Sequence, residues 1–528
     1  MYSENLIAPE LYNITDEITK FASDKTALIW KSPDAPERSW SYNELLAEAR
    51  RFANVVTEAG IKKGDHVIVI TPRLLETYSI YMGLWMAGAI IIPASELLKA
   101  HDLEYRIHQA GVKGIIAYAG LHQEIDKISN IDSLLKMRIL LDGTALEWTN
   151  YATVMEKASA EFTPVETHRD DPCLLAFTSG TTGNPKGVVH VHGWGYAHIR
   201  IAADHWLDIR ENDRVWATAG PGWQKWIWSP FLSVLGKGAT GFMYSGRFSP
   251  ENQLKLLEQQ QINVLCCTPT EYRLMAKVTH LDRFDLSHLR SAVSAGEPLN
   301  REVINVFQDT FGIKVRDGYG QTESTLLIGT LVDTPIRPGS MGKPIMPEYM
   351  AIVDEAGKPV PQGEIGDIAV RKDFPALFKT YYKEPERLEK AIRGDYFVTG
   401  DRAYADDSNY YWFQGRNDDI IISSGYTIGP FEVEDALTHH EAVKEVAVVA
   451  SPDEIRGTVV KAFIVLKDGY TGSDELKREL QMFTKKITAP YKYPRRIEFV
   501  NSLPKTDSGK IRRVALREQE FIIARPSK

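Results

Sequence analysis

Thr178-Ser-Gly-Thr-Thr-Gly-Asn-Pro-Lys-Gly187 follows directly on the apolar run 174–177, LLAF. A short β-branched or leucine-rich run opening into glycines, hydroxyl residues and a lysine predicts a strand that ends in a flexible loop. The backbone N–H groups and hydroxyls of such a loop can surround phosphate oxygens, with Lys186 adding charge. A nucleotide triphosphate is the obvious polyanion. A Walker A loop needs Gly-Lys-Ser/Thr, whereas here Pro185 precedes Lys186 and Gly187 follows it, so the chain is not a P-loop NTPase. A simple turn would not require so particular a string.

Working outward, apolar runs at 66–70, 113–118, 263–267 and 291–295 alternate with helix-length segments. That rhythm predicts βαβ crossovers and largely parallel sheets covered on both faces. The run 80–93, IYMGLWMAGAIIIP, is too short to span a bilayer and reads as a buried helix running into a strand. After Tyr410 the texture changes. Strands at 420–423, 446–450, 461–467 and 496–500, with helices at 430–438 and 473–485, predict a small α+β domain. The expected fold class is α/β: a large N-terminal domain of layered mixed and parallel sheets with helices, residues 1–416, plus a small mobile C-terminal α+β lid, residues 417–528. No linker of low complexity separates them.

Composition narrows the function. The 528 residues carry a net charge of −8, which argues against a dedicated nucleic-acid binder, and a single core does not grow to this size. Cys173, Cys266 and Cys267 form neither a disulfide framework nor a zinc-ligand spacing, so a reducing, cytoplasmic compartment is expected. No basic n-region leads into an apolar stretch at the N-terminus, so no secretory signal and no membrane insertion are expected.

Four further strings carry chemistry: Asp317-Gly-Tyr-Gly-Gln-Thr-Glu323, Tyr396-Phe-Val-Thr-Gly-Asp401, Gly415-Arg-Asn-Asp-Asp419 leading to Ser424-Gly-Tyr426, and Pro504-Lys-Thr-Asp-Ser-Gly-Lys510. Together with 178–187, and in this order, they resemble the motif series of the adenylate-forming superfamily over about residues 25–515. Gly220-Pro-Gly-Trp-Gln-Lys-Trp226, Arg456 before Val459, and Tyr491-Lys-Tyr-Pro494 bring the resemblance nearest to the medium-chain acyl-CoA synthetases. Those enzymes usually carry a basic residue after Ser-Gly-Tyr, where this chain has Thr427.

The resemblance implies an AMP-forming ligase that uses ATP, Mg2+ and coenzyme A. A small carboxylic acid is first converted to acyl-AMP and then passed to the thiol. It assigns Thr178, Ser179, Gly180, Thr181, Thr182, Gly183 and Lys186 to the phosphates. Asp317, Gly318, Tyr319, Gly320 and Gln321 fall to the nucleotide, and Asp401 and Arg416 to the ribose. Thr322 is implied at the α-phosphate, with Glu323 and Thr182 on the metal. Ser424, Gly425 and Tyr426, together with Arg456, Tyr491, Lys492 and Tyr493, are implied to hold coenzyme A, and Asp418 is the hinge of the lid.

Both reactants of the first step are anions, so it needs cations and alignment rather than a base, and Lys510 is the expected catalytic cation. Trp223 and Gly320 are assigned to the acyl pocket. Acetate-selective relatives carry tryptophan at the position of Gly320, so a longer or branched acid is expected. A benzoate-like acid and a non-catalytic homologue that binds acyl-AMP or ATP are the alternatives. His190 and His192 are read as strand side chains. A homo-oligomer, and a lysine acetyltransferase acting on Lys510, complete the expectations.

Overall fold

A computed structural model of the chain describes residues 6–178, 185–296, 299, 301–416, 419, 421–423, 426–453, 457–488, 492–505 and 511–523, with backbone alone at 416, 422, 426, 427, 457, 522 and 523. The chain packs as two units. The first runs to Glu348 and includes Lys372–Ala391; the second holds Tyr349–Arg371 and the residues from Ile392 onward.

Two large sheets build the first unit. One has eight strands in the order Thr380–Tyr381, Lys186–Val191, Pro172–Thr178, Ile90–Pro93, His66–Val69, Gly114–Ala117, Met137–Leu140 and Thr149–Asn150. Its pairs are parallel from Pro172–Thr178 onward, and the strand Lys186–Val191 is antiparallel to both neighbours. The other has nine strands, among them Val315–Gly320, Ser291–Ala295, Val264–Cys267 and Arg214–Ala217, again with a parallel centre and antiparallel edges. His66–Val69, Ile90–Pro93, Gly114–Ala117, Pro172–Thr178, Val264–Cys267 and Ser291–Ala295 are strands the sequence pattern predicts, and they are largely buried, as strands of a parallel sheet covered on both faces are. The helix Leu75–Met86 is buried along its length apart from Glu76 and leads into the strand Ile90–Pro93, as the run 80–93 predicts. Among the described residues no helix is long and apolar enough to cross a membrane.

The two strands that flank the phosphate-loop string are antiparallel neighbours. Strands Pro172–Thr178 and Lys186–Val191 pair with Thr178 opposite Lys186, so the ladder fixes both ends of the phosphate-loop string. One expectation is corrected here. His192 does not lie on the strand: it opens the helix His192–His198, where its Nδ1 accepts from the Ile14 N–H at 3.1 Å.

The second unit contains two five-stranded sheets. In the first, Tyr396–Ala405 lies between Gly366–Arg371 and Tyr411–Arg416. In the second, strand Gly457–Leu466 lies between Val443–Asp453 and Arg496–Phe499. Period-two alternation sends Val446 and Val448 to one face, packed with Val433, Leu437, Leu476 and Leu480 of the helices Pro430–Thr438 and Asp474–Ile487. Ala447 and Val449 face the other way, onto Leu503 and Leu516. Leu516 belongs to the last helix, Arg513–Ile523, which two ion pairs also hold. Arg513 clasps the buried Glu434 through Nε at 2.9 Å and Nη2 at 2.6 Å, and Arg517 Nη1 donates to Asp419 Oδ1 at 2.8 Å.

Candidate active site

In the first unit the Gln-Thr-Glu string follows strand Val315–Gly320 and crosses beside strand Lys186–Val191. Lys186 Nζ lies 2.5 Å from Glu323 Oε1, and the Tyr381 hydroxyl donates to the same oxygen at 2.9 Å. Glu323 is only 6% exposed. Burial alone would raise its pKa, but the Lys186 ammonium and the two hydrogen bonds outweigh it and hold the carboxyl below its usual range. An ionised, dry carboxylate results. Tyr381 was not anticipated from sequence: it comes from the edge strand Thr380–Tyr381, whose partner is Lys186–Val191.

Three groups pin the backbone around that carboxylate, and a fourth holds the side chain of Thr325. His190 Nε2 is 2.7 Å from the Thr322 carbonyl, the Phe378 N–H donates to the Glu323 carbonyl at 2.8 Å, and the Trp194 indole donates to the Ser324 carbonyl at 2.9 Å. His198 Nδ1 then meets Thr325 Oγ1 at 2.7 Å. The rings of His190, Trp194 and His198 form a column, with centroids 4.4 and 5.2 Å apart. His190 was expected to be a plain strand residue, and it is on the strand and fully buried; its contact with Thr322 was missed. The signal available was the spacing of four from 190 to 194 to 198, which places Trp194 and His198 on one face of their helix.

Asp317, Gly318, Tyr319 and Gly320 lie on the strand Val315–Gly320. The Asp317 side chain accepts from the Gly318 N–H at 2.8 Å, and burial pushes its carboxyl up to about 8. Its carbonyl is held by the Trp206 indole at 3.1 Å. Gly320 has a backbone reason to be glycine: a Cβ there would sit 2.2 Å from the Thr325 carbonyl oxygen. An indole could not be carried on this backbone, so the argument that glycine merely vacates the space of a tryptophan does not hold for it.

The aromatic segment divides. Trp226 is buried among Tyr78, Tyr81 and Phe231, with centroids 4.9, 4.9 and 5.3 Å away, and acts as core. Trp228 is buried as well, and its indole N–H has no partner among the described residues. Trp223 alone is open, at 39% exposure.

In the second unit, the antiparallel register sets Asp401 directly opposite Arg416, the pair that the resemblance assigns to one sugar. Asp401 is buried on its strand, and its N–H donates to Thr399 Oγ1. Lys492 pairs with Glu432 at 2.5 Å. The Tyr493 ring has the Lys485 ammonium 3.9 Å and the Arg495 guanidinium 4.9 Å from its centroid, a cationic surround suited to phosphate. Ser179, Gly180, Thr181, Thr182, Gly183, Asp418, Ser424, Gly425, Arg456, Tyr491 and Lys510 lie outside the described residues, as do the side chains of Arg416 and Tyr426.

The model of the AMP-binding enzymes matches residues 15–382, and that of the AMP-binding enzyme C-terminal domain matches residues 432–510. The chain belongs to the AMP-binding enzyme family. Among curated relatives it is similar to an uncharacterized acyl–CoA ligase, YtcI, of Bacillus subtilis (strain 168), at 59% identity over 98% of each chain. It is also similar to the mitochondrial acyl-coenzyme A synthetase ACSM3 of Mus musculus, at 40% identity over 94% of this chain and 87% of the other. Among solved structures it is similar to the anthranilate CoA ligase AuaEII in complex with anthranoyl-AMP, with a TM-score of 0.90, 30% identity and coverage of 98% and 99%. This AMP-binding enzyme is an AMP-forming acyl-CoA synthetase, a carboxylic acid–CoA ligase working with ATP, Mg2+ and coenzyme A.

The residues present fit the metal. Mg2+ takes carboxylate oxygen, and Glu323 offers one in ionised form; among the described residues its side-chain hydrogen bonds both fall on Oε1, which leaves Oε2 for a cation. Among the described residues there is no cluster of three or more His, Cys, Asp or Glu able to enclose an ion.

Proposed function

We propose that this synthetase activates a medium-chain, or branched short- to medium-chain, carboxylic acid. The acid class rests on the resemblance to the medium-chain acyl-CoA synthetases, and the adenylation chemistry on the Lys186–Glu323–Tyr381 cluster. An ammonium and a carboxylate compensate each other in a dry site until a polyanion and its cation arrive, when Lys186 can turn to phosphate and Glu323 to the metal. Thr322 then contacts the α-phosphate, and Asp401 with Arg416 accepts the ribose. Lys510 bridges the acid and the α-phosphate. Lys186 shares the phosphates with 178–183, and Thr182 adds a hydroxyl to the metal. When bound, Mg2+ neutralises phosphate charge.

In the second step the lid, residues 417–528, turns about Asp418. Gly425 and Tyr426 then line the path of the thiol arm, while Arg456 and Tyr491, Lys492 and Tyr493 take the nucleotide end of coenzyme A. Trp223 faces the acid. An aromatic acid is the second reading, favoured by the likeness over nearly the whole chain to an anthranilate ligase. A cytoplasmic location, supported by three buried free thiols, a homo-oligomer, and acetylation of Lys510 belong to the same reading.

Pyrophosphate release with ATP and coenzyme A across C2 to C12 acids, with branched and aromatic members, tests it. Each buried methylene adds ~0.8 kcal/mol, so a C6 acid should outrun acetate by roughly 10²-fold. Acetate as the best substrate would overturn the reading, and benzoate as the best would favour the second.

A further inference from the structure

His190 is fully buried, and its neighbours tie together two segments given different tasks above. Its Nε2 is 2.7 Å from the Thr322 carbonyl and 2.7 Å from the end of the Gln224 side chain. A carbonyl can only accept, so Nε2 carries the hydrogen. The Gln224 amide is placed with its nitrogen toward the imidazole and its oxygen without a partner among the described residues, an arrangement that sets one N–H against another; turned over about its last bond, the amide shares that hydrogen through its oxygen. The remaining imidazole nitrogen, Nδ1, has no hydrogen-bond partner among the described residues, and the imidazole is neutral, burial holding it down to about 4. Trp194 fixes the ring plane from one side.

Each partner leads somewhere. Thr322 precedes the metal carboxylate by one residue, and the carbonyl of Glu323 is fixed in turn by Phe378. Gln224 follows the open Trp223 and opens the helix Gln224–Trp226, whose Trp226 is locked in the aromatic core. One proton is therefore divided between the segment assigned to the acid and the turn assigned to the α-phosphate and metal.

We propose that His190 is a positioning residue that couples the seating of the acid beside Trp223 and Gln224 to the placement of Thr322 and Glu323. The coupling rests on the ligase reading above. An acid that presses Gln224 toward the imidazole strengthens one half of the shared hydrogen bond at the expense of the other. That moves the carbonyl which sets the Thr322–Glu323 turn. Coupling of this kind is reciprocal in binding free energy.

The test uses the full chain and a non-hydrolysable ATP analogue with Mg2+, titrated calorimetrically with and without octanoate or benzoate, whichever the wild type turns over. The wild type should bind the analogue about 5- to 10-fold tighter with the acid present, within the usual range for coupled sites. His190→Leu should reduce that enhancement to less than about twofold, and lower kcat for pyrophosphate release about 10- to 100-fold with a smaller change in KM. His190→Gln, which keeps a donor, should restore most of both. If His190→Leu does not fold, Gln224→Leu read in the same way should lose the enhancement.

An enhancement that survives loss of the donor, no rescue by glutamine, or a wild type that turns over without any enhancement would each overturn the coupling. A wild type that releases no pyrophosphate with any acid defeats the ligase reading instead.

Discussion

Lys186 and Glu323 form a buried ion pair at 2.5 Å, closed by the Tyr381 hydroxyl on the same carboxylate oxygen. Breaking such a pair from one side costs about 3 to 5 kcal/mol, because an uncompensated charge stays in a dry place. Lys186→Met should therefore destabilise the first unit by that order at pH 7. In the wild type the Glu323 pKa is depressed, so its contribution is present above the unfolded value and is lost as pH falls through the folded one. In the variant the ammonium is gone and the Tyr381 hydrogen bond and the backbone are left to oppose burial, so the carboxyl pKa rises above that of the wild type and the deficit shrinks toward acid. Denaturation curves at pH 7 and pH 5 check this; a deficit that grows on acidification contradicts it.

Acid should unfold the first unit through its histidines. Burial pushes His190 down to about 4 and His192 and His198 down to about 3. The unfolded chain takes up these protons near pH 6.5 and the folded chain does not, so stability is full above pH 6.5 and falls as pH drops toward 4. Three such groups give a slope of about 4 kcal/mol per pH unit. His192→Gln should flatten the slope by about a third. An unchanged slope would show that His192 is not a neutral buried group.

Gly320→Ala should be more damaging than a methyl group suggests. The new Cβ meets the backbone carbonyl of Thr325, which cannot move like the end of a side chain. A loss of at least about 2 kcal/mol, together with reduced adenylation, is expected from the displaced Glu323 turn. A melting temperature equal to that of the wild type would count against the backbone argument.

Lys510→Ala should lose at least ~10²-fold in acyl-AMP formation while sparing thioester formation from supplied acyl-AMP. Equal loss in both half-reactions would refute the assigned role.

Asp418→Pro fixes φ at the hinge and should retain one half-reaction while impairing the other. Wild-type rates in both would remove the rotation from the scheme. Mass spectrometry of native protein, finding Lys510 always unmodified, would likewise remove the acetylation.

Six strands of the first unit were legible because buried strands between helices leave unbroken apolar runs, whereas Val315–Gly320, which carries Arg316, Asp317 and two glycines, was not legible as a strand. The phosphate-loop string was legible because few loops need that composition. The glutamate of the Gln-Thr-Glu string was legible for the same reason. Its tyrosine partner was not: Tyr381 stands 58 residues from Glu323 and 195 from Lys186, and only sheet pairing joins them. The alternation His190-Val-His192 told nothing about what each imidazole meets, since a strand pattern gives the face and not the neighbour. Gly320 was legible as a missing side chain, but the carbonyl that forbids one comes from a later strand crossing.

The last helix carries none of the motif residues, yet its arginines grip Glu434 and Asp419. A chain cut just past residue 510 would keep every signature string and strip a buried acid of its counter-ion. The tail thus works as a clasp on the segment beside the pivot. Tags and fusions at that end should be chosen as carefully as mutations in the nucleotide cleft.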